Sequence, residues 1–142
     1  MQTKWSSLLW AALLLIALPL QARTPAPKDA AVFFRNLHDG ATVTSPFQVE
    51  FGVRNMSLVP AGEDKPASGH VHLLIDTNGL PPLEQPIPKD AQHIHYGKGQ
   101  GEAIVDLPPG KHTLQLLLGD YQHVPHEPPV ASDRITITVA PN

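Results

Sequence analysis

The chain has 142 residues, no cysteine and a formal net charge of −3, from 10 basic and 13 acidic side chains with eight histidines taken as neutral. This length suits one domain with a modest core, and the acidic balance argues against a nucleic-acid partner. The missing cysteine excludes disulfides, thiolate metal ligands and a cysteine nucleophile.

Residues 1–22 read as a secretory signal peptide. Lys4 gives a basic start, and Leu8 to Leu18 form an apolar run too short to span a bilayer comfortably. Pro19-Leu20-Gln21-Ala22 places a small residue at the expected cleavage point. The alternative is an uncleaved N-terminal anchor; a lipoprotein anchor is excluded because no cysteine follows the apolar run. The expected location is therefore periplasmic or secreted, with no stable membrane span after cleavage. Loss of Lys4 makes the remaining chain one charge more acidic. Residues 23–29, which include Pro25 and Pro27, are expected to form a flexible tether, and residues 30–142 a single domain.

The first strand is expected near Ala31 to Leu37, closed by a turn at Asp39-Gly40. Phe47, Val49, Phe51 and Val53 then alternate with Gln48, Glu50, Gly52 and Arg54, the period-two pattern of a strand with one buried face. A loop from Asn55 to Gly69 leads into His70 to Asp76, where Val71, Leu73 and Ile75 share one face and His70, His72, Leu74 and Asp76 the other. Four prolines between Thr77 and Ala91 forbid regular structure and predict a surface excursion. Gly97 to Gly101 predicts an irregular loop, and Glu102 to Leu107 a strand ended by Pro108-Pro109-Gly110. Lys111 to Leu118 is the next strand, with His112, Leu114, Leu116 and Leu118 on one face. A Pro-rich loop, Pro125 to Pro129, precedes a last strand at Arg134 to Val139. About seven short strands with no helical period predict an all-β chain folded as an immunoglobulin-like β-sandwich; a small cupin or jelly-roll type barrel is the alternative.

Six of the eight histidines fall in three clusters, His70-Val71-His72, His93-Ile94-His95 and His123-Val124-Pro125-His126. Residues two apart on a strand project from the same face. If the strands of the first two pairs are neighbours, His70, His72, His93 and His95 converge within cross-strand reach. Neutral imidazole is a common ligand for copper and zinc, and without thiolates a dedicated Cu(I) or iron–sulfur site is disfavoured. The competing explanation is structural, since imidazoles also bridge backbone groups in irregular loops. His123 and His126 lie in a Pro-rich loop, where surface exposure is the default. His112 is expected to make a structural hydrogen bond, His38 to sit at a turn, and Met56 to fill a gap or lie on the surface.

The stretches Leu37-His38-Asp39-Gly40-Ala41-Thr42-Val43, Pro60-Ala61-Gly62, Gly69-His70-Val71-His72-Leu73-Leu74-Ile75-Asp76, His93-Ile94-His95-Tyr96-Gly97-Lys98-Gly99-Gln100 and Leu107-Pro108-Pro109-Gly110-Lys111-His112-Thr113-Leu114 together resemble a family of exported bacterial domains catalogued only as a domain of unknown function. The resemblance spans nearly all of the chain after the leader. It implies export and a single domain, and no reaction.

Catalysis is not needed to explain these residues. Asp76, Glu102 and Asp106 sit in no catalytic motif, and Asp76 is expected to cap the turn at Thr77-Asn78-Gly79. Ser68-Gly69-His70 lacks the geometry of a serine hydrolase, and the ligand pattern and disulfide of copper–zinc superoxide dismutase are absent. The expected function is a periplasmic, noncatalytic binding module whose paired histidines bind copper or zinc. The alternative is an envelope module that contacts a protein or glycan and uses the histidines structurally.

Overall fold

The computed structural model describes residues 22–141. Apart from Ala22, the segment read as a signal peptide lies outside the described residues. The described chain is all β. Its strands are β1 (Ala31–Phe34), β2 (Thr42–Val43), β3 (Phe47–Arg54), β4 (Ser57–Leu58), β5 (Ser68–Ile75), β6 (His93–Tyr96), β7 (Glu102–Val105), β8 (Gly110–Gly119) and β9 (Ile135–Val139). Among the described residues no helix is long and apolar enough to cross a membrane.

The strands form two sheets. One has the order β1-β3-β7, and the other β2-β9-β8-β5-β4, with β6 also paired to β5. Most pairs are antiparallel; β2 runs parallel to β9 and β4 parallel to β5. This is the immunoglobulin-like sandwich expected from the spacing of the strands. Nine elements replace the expected seven because the two-residue strands β2 and β4 are too short to show any alternation.

Alternation accounts for the core. Phe47, Val49 and Phe51 of β3 face Val71, Leu73 and Ile75 of β5 and Leu114, Leu116 and Leu118 of β8, with Ile135, Ile137 and Val139 beside them. Each such side chain stabilises the fold by about 1.5–3 kcal/mol on burial. Met56 joins this core.

Strand β5 departs from the half-buried pattern, because all eight of its residues are buried. Its odd-numbered residues enter the core. Its even-numbered residues, on the outer face, are covered by two loops that cross that face. Ile87 from the proline-rich excursion packs on Leu74 and Leu117, with Ala131 at the margin, as a second small apolar cluster. The outer face thus has its own thin layer, and histidines occupy the rest of it.

Candidate metal centre

Register brings the imidazoles together. His72 of β5 pairs directly with His95 of β6 on one side and with Leu117 of β8 on the other, while His70 pairs with Gly119. The ring centroids of His70 and His72 are 4.8 Å apart, those of His70 and His95 4.9 Å, and those of His72 and His95 5.1 Å. One ligand nitrogen from each of the three lies within 4.8 Å of the others. A cation about 2.1 Å from each nitrogen would draw them slightly inward.

Two glycines make this convergence possible. A Cβ on Gly119 would stand 2.8 Å from His72 Cε1 and 3.3 Å from His123 Cα; one on Gly97 would stand 2.3 Å from His95 Cε1. Any other residue would push an imidazole out of the cluster.

The environment keeps the rings neutral and leaves four of their six nitrogens buried without hydrogen-bond partners. His70 and His72 are each only 1% exposed. Burial, reinforced by His123 and His95, pushes the pKa of His70 down to about 4; burial with His70 and His95 pushes that of His72 down to about 2. Burial and His123 also lower that of His95. Both ring nitrogens of His70, Nδ1 of His72 and Nε2 of His95 are buried with no hydrogen-bond partner. A buried polar atom left unpaired costs about 1–3 kcal/mol, so such atoms are rare and call for an explanation. A neutral imidazole keeps one lone pair in the ring plane, which is what a metal ion accepts.

Of the four histidines expected to converge, three do. His93 lies on the same face but pairs with Leu74, one step further along β5, and its Nδ1 meets Asp90 Oδ1 at 2.8 Å. His123 takes the neighbouring place instead. Its ring centroid is 4.9 Å from those of His70 and His95 and 6.2 Å from that of His72. A proline-rich loop conceals this in sequence. The clue was Gly119, which ends β8 opposite His70 and so places the next residues beside the cluster.

Each of the remaining histidines has a partner for at least one ring nitrogen, and His126 Nδ1 is buried without one. His126, expected to be exposed, is 1% exposed and its Nε2 lies 3.0 Å from the Ser68 carbonyl oxygen. His112 Nδ1 meets Asp76 Oδ2 at 2.8 Å and its Nε2 meets the Pro108 carbonyl oxygen at 2.8 Å, the structural role expected of it. Asp76 does not cap the turn after it: its Oδ1 accepts the Thr113 N–H instead, which ties β5 to the start of β8. His38 is exposed, beside the Asp39-Gly40 turn. The Ser68 hydroxyl donates to the Lys65 carbonyl rather than to His70.

The segment expected to hang free before the first strand is instead bound to the loop that follows β8. Glu127 N donates to Thr24 O and Ala26 N to Glu127 O, at 2.9 and 2.8 Å.

No curated protein and no solved structure matches the chain significantly. The family described as Domain of unknown function (DUF4399) matches residues 49–140, a span that contains every clustered histidine, and the chain belongs to that family.

Proposed function

We propose that this protein is an exported, noncatalytic module that holds a Cu(II) or Zn(II) ion through His70, His72 and His95. One observation carries the reading: four buried nitrogens of these rings have no hydrogen-bond partner, within a cluster whose ligand atoms lie inside 4.8 Å. Imidazole donors suit both ions, and intrinsic affinity favours copper. Export rests on the leader read into residues 1–22 and is tested by fractionation, with the processed chain expected in the periplasm or medium.

The test is calorimetric titration of the metal-free protein with Cu(II) and Zn(II), against a variant carrying His72→Ala and His95→Ala. Stoichiometric, submicromolar binding is expected in the wild type and not in the variant. No binding by the wild type overturns the metal reading.

The second reading, an envelope module that contacts protein or glycan, is favoured by a different surface. On the outer face of the three-stranded sheet Phe33 is 43% exposed and Ile104 68%. That reading, in which the histidines are structural, predicts that Phe33→Ser and Ile104→Ser abolish cross-linking to an envelope partner.

A further inference from the structure

We infer that His123 is a fourth ligand of the ion, carried on a loop latched by the N-terminal segment Arg23–Ala26; this rests on the metal reading above. His123 has φ 68°, in the left-handed region where a non-glycine residue is strained by about 1 kcal/mol or more. Asparagine, aspartate and histidine are the non-glycine residues most often found there, so the turn admits an imidazole at this position and turns its ring toward the cluster. Its ring stands 4.9 Å, centroid to centroid, from those of both His70 and His95.

The loop is held so that this ring stays in place. His123 N donates to Asp120 O at 2.9 Å, and Ile87 N donates to His123 O at 2.8 Å, so the strained residue is fixed on both sides. Asp120, 4% exposed, organises the turn by accepting the N–H groups of Gln122 and Val124 on Oδ1, at 2.9 Å each. Its Oδ2 accepts the Thr24 hydroxyl at 2.6 Å. Beyond Thr24, Arg23 Nε donates to Pro125 O at 3.1 Å, and its guanidinium also reaches Glu127 and the His126 carbonyl. The latch thus grips the loop on both sides of the histidine. It lies outside the residues that match the family, whereas His123 lies within them.

Three ligands come from paired strands and move little. The fourth comes from a loop whose grip is a few hydrogen bonds, so release of the latch opens one coordination position and sets the rate of exchange. A four-imidazole set also fits the tetragonal preference of Cu(II).

The deciding variant is His123→Gly, because glycine adopts this φ without strain and the apo fold is expected to keep its thermal midpoint; His123→Asn is the second variant. Cu(II) is the probe. Pulsed electron paramagnetic resonance is expected to count four coordinated imidazoles in the wild type and three in either variant, with affinity lower by about 100-fold. For the latch, Thr24→Val is expected to speed transfer of Cu(II) to a chelator by about 10-fold, with the ligand count still four. Three imidazoles in the wild type, or unchanged affinity in both His123 variants, overturns the fourth ligand and leaves the triad standing. An unchanged transfer rate in Thr24→Val overturns the latch. Absence of Cu(II) binding by the wild type overturns the metal reading and this inference with it.

Discussion

Strand β8 has a histidine environment at each end, and the two differ in hydrogen bonding. At its start, His112 sits between Asp76 and the Pro108 carbonyl, with a partner for each ring nitrogen. Burial opposes its protonation, but those partners outweigh burial and hold its pKa above the ordinary value; Asp76, for which the His112 and Thr113 bonds outweigh burial, is held below its own. At its far end, His70 and His72 are more deeply buried, lack such partners and are pushed down to about 4 and about 2. A histidine placed to stabilise a fold is surrounded by acceptors. Three kept neutral within 4.8 Å of one another, with free lone pairs, could hold a cation.

The largest expected effect separates the two ends by pH. His70 and His72 have folded pKa values below the ordinary value of 6.5, so the unfolded chain binds more protons in the acid range and stability is lost as pH falls below about 6.5. Two histidines held neutral give a slope of roughly 2–3 kcal/mol per pH unit. Urea unfolding of the metal-free protein is expected to show about 4 kcal/mol lost by about pH 4.5. A variant with His70→Leu and His72→Leu is expected to lose that acid limb, whereas a His112 variant keeps it. An acid limb unchanged in the double variant breaks the comparison.

Metal should reverse the penalty at one end only. With free Cu(II) at about 1,000 times its dissociation constant, binding to the native state alone stabilises by about 4 kcal/mol. The shift in thermal midpoint is expected to vanish in the variant carrying His72→Ala and His95→Ala and to survive in full in His112→Leu. Equal losses in both variants would show that the two environments are not distinct.

The comparison also shows what the sequence made legible. Alternation along β3, β5 and β8 put the core residues on the right faces, and it put His70 and His72 opposite Val71 and Leu73, because side-chain direction in a strand follows from residue number alone. The meeting of His72 with His95 depended on strand adjacency, which periodicity does not encode. His93 fell out of the cluster through a register step, and His123 entered it through a loop. The clamp at Thr24 was hidden in the same way, since its partner Asp120 is 96 residues distant.

A smaller effect isolates the cluster without touching the fold's supports. Gly97→Ala sets a Cβ 2.3 Å from His95 Cε1 and 2.8 Å from Nε2, and a half-buried ring relieves that clash by turning away. Metal affinity is expected to fall by about 10–100-fold, comparable to loss of an orienting partner. The apo stability is expected to change by less than about 1 kcal/mol. A large stability loss with affinity intact would mean that the His95 ring holds its position for packing.

The smallest effect belongs to the partnered end. His112→Leu removes two hydrogen bonds at a site where the side chain is 11% exposed and is expected to cost about 1–2 kcal/mol, with metal affinity unchanged. The sign of its pH dependence is opposite to that of the cluster. A raised folded pKa gives stability that is complete below the unfolded value of 6.5 and fades as pH rises through the folded pKa. The deficit of the variant relative to wild type is therefore expected to be larger near pH 6 than near pH 8. A deficit that grows with pH instead would mean that His112 is held neutral, and the contrast between partnered and unpartnered histidines would then rest on geometry without charge.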